Sequence, residues 1–240
     1  MTYTPKYDTD ISPGDVIAVG DIHGRSDLLE VFLDYVKDTQ TTVILLGDLI
    51  DRGPDDAGVL DRVKMLLDDP EYWGLAGFHC LMGNHERMML DAAEGRSGEV
   101  MQWLKNGGNA CDQLERIMAH ERWVAELPLY MVVGDTLFTH AGIEPGEDPA
   151  TWTKTRFLRE QLLWMRRPFL DEGPMFSLWN PRLRRCVHGH TPYLDDERLG
   201  TVNVSDTGDR VGIDTAAVYS GILTSYNSSR DTFQRHQVNA

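Results

Sequence analysis

Three short apolar segments in the first third of the chain each end at a glycine, and a metal-binding type of side chain follows each glycine. The segments span 16–19, 43–46 and 78–82, and amphipathic helical patterns separate them. A β-α-β-α-β order predicts a parallel sheet with right-handed crossovers. Because parallel strands end at one edge of their sheet, the residues that follow them meet there. The residues expected to converge at this edge are Asp21, His23, Asp48, Asn84 and His85.

The remaining patterns complete an α/β fold, which we expect to form one domain over residues 1–240. It should begin with a lead-in coil at 1–14 and end in a loose polar tail at about 228–240. The predicted helical stretches are about 27–38, 55–67, 85–127 and 155–167. The further predicted strands are 129–133, 136–139, 183–187 and short antiparallel runs within about 199–224.

The composition predicts an acidic, water-soluble globular protein. The net charge of −15 argues against a nucleic-acid binder, which needs a basic face. No apolar run reaches the ~18 residues of a membrane span, and the first residues lack the pattern of a signal peptide. We therefore predict a cytoplasmic protein without a membrane partner, and by default a monomer. Three widely spaced cysteines, Cys80, Cys111 and Cys186, indicate reduced thiols rather than a disulfide framework.

Six oxygen or nitrogen donors stand at predicted strand ends, and none of them is a thiolate. They are Asp21, His23, Asp48, Asn84, His140 and His190. Such donors suit borderline and hard cations, of which we expect Mn²⁺ first, with Fe²⁺ and Zn²⁺ as open alternatives. Six donors exceed the needs of one tetrahedral ion with an open position, but they fit two ions that share a carboxylate. Two ions roughly 3.5–4 Å apart can clamp both oxygens of a displacement at phosphorus and can generate hydroxide near neutral pH.

Hydrolysis of a phosphoester has two further requirements. Charge on the phosphoryl oxygens is best offset by a bidentate guanidinium, and Arg52 follows the Asp48 loop. The leaving alkoxide must receive a proton from a positioned acid. His85 could supply it, because a carboxylate such as Asp51 would keep the imidazole charged and oriented. Each residue alone could instead be a turn or capping residue; the combination favours a metal centre.

The ordered motifs resemble the signature set of the phosphoprotein phosphatase family, within the calcineurin-like metallophosphoesterases. They are Gly-Asp-Ile-His-Gly (20–24), Gly-Asp-Leu-Ile-Asp-Arg-Gly (47–53), Gly-Asn-His-Glu (83–86), His-Ala-Gly (140–142) and Gly-His-Thr (189–191). The resemblance spans 16 to about 224 and is nearest to the bacterial and phage-lambda type of serine/threonine phosphatase. It implies a central β-sandwich of mixed sheets flanked by helices. Trp103-x-x-Asn106-Gly107-Gly108 also fits this set.

The resemblance implies a role for each matching residue. The first metal ion would be held by Asp21 and His23, the second by Asn84, His140 and His190, and both would be bridged by Asp48. His85 paired with Asp51 would be the general acid, and the phosphoryl oxygens would be bound by Arg52 and Arg166. The implied reaction is hydrolysis of phosphoserine or phosphothreonine in proteins by a metal-bridging hydroxide.

Some positions depart from the family pattern or stay open. Many members carry Arg where this chain has Met82, so one phosphate contact is missing or comes from Arg87 or Arg167. Related bacterial sequences have Gly where this chain has Ala216. The choice between Arg166 and Arg167 depends on one residue of helical register. His188 could support the metal ligands or could be an ordinary buried histidine.

Two other functions remain open at this stage. One is a nucleotide hydrolase similar to the symmetrical diadenosine-tetraphosphate hydrolases, which share the metal motifs. Those enzymes typically carry Ala where this chain has Asp51, which favours the phosphatase, whereas Met82 weakens that preference. The other is a non-catalytic metal-binding module with a regulatory role. The intact set of ligand and acid positions argues against it.

Overall fold

The protein is described by a computed structural model that covers residues 3–108, 114–152, 156–174, 176 and 180–238. Its first sheet contains the three predicted parallel strands, β1 (Val16–Val19), β2 (Thr42–Leu45) and β3 (Gly77–Cys80). β2 lies between the other two, with Val16 opposite Thr42 and Thr42 opposite Gly77. The parallel arrangement predicted from the motif spacing is therefore confirmed, and the loops after all three strands meet at one edge.

Helices cover the outer face of this sheet. Helix α1 (Ser26–Val36) buries Leu29, Phe32 and Leu33 on one stripe, as its sequence period predicts. The other helices that complete the fold are α2 (Asp56–Asp68), α3 (Asn84–Ala93), α4 (Ser97–Lys105), α5 (Leu114–Met118), α6 (Glu121–Val124), α7 (Arg156–Trp164), α8 (Phe169–Glu172) and α9 (Ala217–Ser220).

A second sheet is built from the later part of the chain. Its strands are β4 (Tyr130–Val133), β5 (Thr136–Thr139), β6 (Arg185–His188), β7 (Asn203–Val204) and β8 (Arg210–Gly212). They lie in the order β4-β5-β6-β8-β7, and β4 pairs with β5 as the predicted hairpin. β5, β6 and β8 are mutually parallel, so the loops after them also share an edge.

The two sheets pack face to face through one apolar layer. From the first sheet come Ala18, Ile44 and Leu81, and from the second come Phe138 and Val187, all completely buried. The chain thus forms the mixed β-sandwich flanked by helices that the resemblance implied. The layer brings the loop edges of both sheets together at one end of the sandwich.

The prediction of a loose tail over 228–240 was wrong in its central part. β9 (Leu223–Asn227) returns to the first sheet beside β1, and β10 (Thr232–His236) pairs antiparallel with β9. Phe233 is buried against Tyr226, and the His236 ring lies 5.2 Å from that of Phe32. The polar composition of this segment hid the strand, because its buried positions depend on partners far away in the chain.

The long stretch expected to be mostly helical, 85–127, is divided into four helices in the described residues. Gly95 lies between α3 and α4 and has φ of 77°, and Gly107 follows α4 and has φ of 101°. These left-handed glycines interrupt the helical path. In the lead-in, 3–14 contains only an isolated bridge from Tyr7 to Phe233. None of the described helices is both long enough and apolar enough to cross a membrane.

Candidate metal centre

Asp48 stands at the centre of the buried group of side chains where the loops of both sheets meet. Its carboxylate lies 3.6 Å from His23 Nε2, 3.3 Å from His140 Nε2 and 3.9 Å from His85 Nε2. Two sets of possible ligand atoms share it: His23 and His85 on one side, His140 and His190 on the other. A shared carboxylate between two sets of donors is the arrangement that a pair of cations requires.

On the second-sheet side, two imidazole nitrogens lie within hydrogen-bond distance of one amide oxygen. The Nδ1–H of His140 donates to the Leu46 carbonyl at 2.9 Å, which leaves a lone pair on Nε2 when the ring is neutral. That Nε2 lies 2.8 Å from Asn84 Oδ1, and Asn84 Oδ1 is also 2.8 Å from Nδ1 of His190. Asp48 adds a further oxygen to this group. Several atoms that can ligate a metal ion lie around one point, which is typical of a cation site.

On the first-sheet side, the imidazole of His23 is oriented in the same way. Its Nδ1–H donates to the Ile50 carbonyl at 2.8 Å, so Nε2 is aimed toward Asp48. Here a donor is present, because Arg52 places Nη1 2.6 Å from His23 Nε2 and Nη2 2.8 Å from His85 Nε2. Asp21 lies behind this group, and both of its oxygens accept the backbone N–H of His190 at 3.0 and 3.2 Å.

Local backbone geometry orients these side chains toward the centre of the site. Several of them have a left-handed φ, which costs a non-glycine residue about 1–2 kcal/mol. They are His23, Asp48, Asp51, Arg52 and His190, with φ between 47° and 71°. The glycine beside Asn84 is required for close approach, since a Cβ on Gly83 would lie 2.2 Å from the Asp48 nitrogen. Strain concentrated at one cluster is typical of functional sites.

His85 and Asp51 form a buried pair next to this cluster. His85 Nδ1–H donates to Asp51 Oδ2 at 2.6 Å, and Trp103 Nε1–H donates to both Asp51 oxygens at 2.9 Å. Burial lowers the pKa of His85, but the carboxylates of Asp48 and Asp51 outweigh it and leave the pKa raised. The pair therefore has the orientation of a proton donor, and the raised pKa of His85 favours its charged form.

The two predicted phosphate-binding arginines are placed differently. Arg52 is exposed and touches the rings of His23 and His85. Arg166 is also exposed, and its charge helps to lower the pKa of His140 and His190, which places it near the second set of donors. Its neighbour Arg167 pairs with Asp171 at 3.4 Å on an exposed face. Both arginines lie beyond the end of α7 at Trp164, so helical register does not decide between them. The effect of the Arg166 charge on His140 and His190 favours Arg166 over Arg167 as the residue near the site.

Comparisons with known proteins identify the scaffold. The family model described as calcineurin-like phosphoesterase matches residues 14–199. The chain belongs to this family. It is 33% identical to "Serine/threonine-protein phosphatase 1" of Salmonella typhimurium, over 87% of this chain and 89% of that protein.

Other relatives carry a different name. The chain is 31% identical to the symmetrical bis(5'-nucleosyl)-tetraphosphatase of Acidovorax sp., over 69% of this chain and 59% of that protein. The crystal structure of a proposed diadenosine tetraphosphatase superimposes with a TM-score of 0.63 at 23% identity, over 99% of this chain and all of that one. The comparisons thus agree on a metallophosphoesterase, and the names of these two curated relatives divide between a serine/threonine phosphatase and a nucleoside tetraphosphatase.

The electrostatics of the site fit the divalent ions that calcineurin-like phosphoesterases bind. Burial lowers the pKa of His23 to about 3 and also lowers those of His140 and His190, so these rings are neutral and ready to coordinate. Burial would raise the pKa of Asp48, but the positive charge that the surrounding imidazoles carry when protonated, that of His140 most, outweighs burial and lowers this pKa well below its usual range. When the imidazoles are neutral, a bound cation would supply that charge instead. A buried carboxylate among neutral imidazoles calls for a cation.

A second pair of carboxylates in the centre supports the same conclusion. Burial and the charges of Asp214 and Asp48 raise the pKa of Asp21 well above its usual range. Burial, followed by the charge of Asp48, raises the pKa of Asp214 to about 6. Asp21 and Asp214 compete for a proton, because burial and the charge of Asp48 outweigh the opposing effect of Arg52 on Asp214. A divalent ion beside Asp21 would remove that conflict.

Three residues to which the sequence analysis gave no role support the site: Glu86, Asp214 and Trp103. Glu86, completely buried, accepts the backbone N–H groups of Asp48, Leu49 and Gly83 at 2.8–2.9 Å and so ties two of the three loops together. Asp214 contacts Asp21, and Trp103 holds Asp51. Their motifs were visible in the sequence, but only the fold shows which partner each one touches.

The structure shows the surroundings of three residues whose roles the sequence analysis left undecided: His188, Met82 and Arg87. His188 is buried, and its Nδ1–H donates to the Gly189 carbonyl at 2.9 Å; its Nε2 has no partner among the described residues. Met82 is buried in the apolar core near α3. Arg87 is paired with Asp91, with Glu94 4.0 Å away, so its guanidinium is already engaged by carboxylates. It therefore does not replace the arginine that many family members carry at the position of Met82.

Proposed function

We propose that this chain is a dinuclear metal-dependent phosphomonoesterase that hydrolyses phosphoserine and phosphothreonine in proteins. Two divalent ions, Mn²⁺ in our proposal, would supply the activated water and offset charge on the phosphoryl group. Asp21, His23 and Asp48 would hold the first ion. The second would share Asp48 and be held by Asn84, His140 and His190.

The remaining residues act directly on the substrate. Arg52 is exposed and contacts two imidazoles, and its guanidinium would turn toward the phosphoryl oxygens. Arg166 would add positive charge from the opposite side. His85 would donate a proton from Nε2 to the departing oxygen. Asp51 would hold the other side of the imidazole and stabilise its charged form.

The observation that carries this proposal is the buried pair of His85 and Asp51. A phosphoserine expels an alkoxide, which is a strong base and must be protonated as it leaves. A nucleotide anhydride expels a phosphate group, which is a much weaker base and depends less on an acid. The 2.6 Å contact, closed on its far side by Trp103, is therefore better matched to an alkyl phosphoester.

The second candidate is a nucleotide hydrolase, and the symmetrical bis(5'-nucleosyl)-tetraphosphatase names among the relatives favour it. The two are separated by assaying a phosphoseryl peptide and diadenosine tetraphosphate in parallel with Mn²⁺. We expect turnover of the peptide. Cleavage of the nucleotide alone would contradict the proposal.

The role of the acid is tested with His85→Asn. We expect kcat on the phosphoseryl peptide to fall by about 10²–10⁴-fold, whereas hydrolysis of an aryl phosphate, whose leaving group needs little protonation, changes much less. His79→Asn is the matched control, because His79 lies in the preceding strand outside the site. Equal losses on both substrates would show that His85 is not the acid.

A further inference from the structure

Asp56 is a buried carboxyl group that no step of the proposed reaction uses. It occupies the first turn of α2, is 1% exposed, and lies directly behind the acid pair. Its Oδ1 accepts the backbone N–H of Asp51 at 2.9 Å. Its Oδ2 is buried and has no hydrogen-bond partner in the described part of the chain. A buried carboxyl with one unused oxygen is costly and needs an explanation.

The contact with Asp51 holds a strained residue in place. Asp51 has φ of 71°, a left-handed conformation that is unfavourable for aspartate unless its surroundings enforce it. Trp103 and His85 donate hydrogen bonds to its side chain, and Asp56 accepts its backbone N–H. The orientation of the Asp51 carboxylate toward His85 therefore depends on the amide hydrogen bond to Asp56.

Asp56 also braces the neighbouring loop. A Cβ placed on Gly24 would lie 2.4 Å from Asp56 Oδ1, so the carboxyl packs directly against the loop that carries His23. Asp55, the preceding residue, donates its backbone N–H to the Gly24 carbonyl at 3.0 Å. The start of α2 thus connects the loop of the first motif with the loop of the second.

The charge state of Asp56 suits this position. Burial and the nearby Asp51 raise the pKa of Asp56 to about 7. A carboxyl with this pKa is about half protonated near pH 7, so it can accept the Asp51 N–H while adding less than a full negative charge beside the acid pair. An amide has the same shape and the same acceptor, so asparagine should substitute for it.

We propose that Asp56 is a positioning residue for proton donation: through the Asp51 amide it sets the orientation of the Asp51 carboxylate and hence of His85. This inference rests on the proposed function, because it requires His85 to act as the acid. It assigns no contact between Asp56 and the substrate or the metal ions.

The test compares two substrates that differ in how much their leaving group needs a proton. For Asp56→Ala, we expect kcat on a phosphoseryl peptide to fall about 10-fold, a fraction of the full contribution of a general acid, with KM unchanged. Hydrolysis of p-nitrophenyl phosphate should change less than about 2-fold. For Asp56→Asn, kcat on both substrates should stay near that of the unmodified protein.

Asp55→Ala is the matched control. Asp55 caps α2 by accepting the Gly58 N–H at 3.0 Å, so its loss should cost about 1 kcal/mol of stability without touching Asp51. It should lower Tm and leave the ratio of the two activities unchanged. If Asp56→Ala reduces both activities by the same factor, or if Asp56→Asn fails to rescue the ratio, Asp56 is merely structural and the inference is wrong.

His85→Asn, measured in parallel, separates this failure from a failure of the proposed function. If His85→Asn changes the ratio and Asp56→Ala does not, only the positioning role is overturned. If neither variant changes it, His85 is not the acid, and both the proposed function and the positioning role are overturned.

Discussion

The two sides of the metal centre are built from similar residues but are electrically different. On the first-sheet side, the guanidinium of Arg52 lies within hydrogen-bond distance of the rings of His23 and His85. On the second-sheet side, His140 and His190 face the carbonyl oxygen of Asn84, and the described residues place no donor between them. The first side therefore has a guanidinium in contact with its imidazoles, whereas the second side brings imidazole nitrogens and an amide oxygen together with no guanidinium of the described residues between them.

All four imidazoles are buried, so the two sides differ in the groups that cover them. Arg52 is exposed, so the first side opens to solvent and substrate. The His190 ring is covered by Trp164, with ring centroids 5.9 Å apart, and its Nε2 is buried. The comparison indicates that one carboxylate, Asp48, links two different sides. The first side contains the proposed acid and Arg52, and the histidines of the second side are proposed metal ligands. Substitutions on the two sides should therefore fail in different ways.

The largest effect is expected where the two sides join. Asp48→Asn removes the charge that both sets of donors share, so we expect both metal ions to be lost and kcat/KM to fall by at least about 10³-fold. Metal content measured by elemental analysis, together with peptide hydrolysis, checks this. Asp34→Asn, an exposed change on α1, is the control. An Asp48→Asn variant that kept both ions and most of its activity would refute a bridging role. A separate outcome concerns the unmodified chain: undetectable hydrolysis with Mn²⁺, Fe²⁺ and Zn²⁺ would favour the non-catalytic module.

The next comparison separates the two sides. His140→Asn should lower metal content, because His140 offers its lone pair to the cation and nothing else in the described residues replaces it. His85→Asn should retain two ions and lose kcat instead, by about 10²–10⁴-fold. Elemental analysis and kinetics on the same samples give both quantities. Equal loss of metal in the two variants would break the division between the sides.

The two arginines provide a finer test. Arg52→Ala should reduce kcat/KM by about 10²-fold, because a positioned guanidinium would be lost from the reacting group. Arg166→Ala should have a smaller effect, about 10-fold or less, that diminishes with added salt, since an exposed charge acts over a Debye length of ~8–10 Å. Arg167→Ala is the control for its neighbour. A larger effect from Arg166 than from Arg52 would show that the substrate approaches from the second-sheet side and not from the side of Arg52.

The smallest effect concerns strain near Asp214. Ala216 has φ of 55°, a left-handed conformation that glycine adopts more easily. Ala216→Gly should raise the free energy of unfolding by up to about 1 kcal/mol, because relief of strain exceeds the added entropy of the unfolded chain. Denaturant melts measure it, and kcat should be unchanged. A loss of stability would show that the surrounding loop does not store this strain.

The sequence alone determined the parallel strands, the crossovers and the residues at their ends, because a strand that ends at glycine beside a polar side chain is a local pattern. It also determined the family, since ordered motifs with defined spacing persist in a linear string. It failed for β10, where Phe233 and His236 are buried by residues that lie far away in the chain.

Only the tertiary structure decided which residues touch. Asn84 and His190 are separated by 106 positions, yet their atoms lie 2.8 Å apart because the two sheets pack with their loop edges aligned. The tertiary structure likewise revealed that Asp51 is held by Trp103 and Asp56, that Arg166 rather than Arg167 lies near the donors, and that left-handed backbone collects at one place. Hydrogen bonds and electrostatic interactions depend on distance in space, and the order of residues along the chain specifies that distance only through the complete fold.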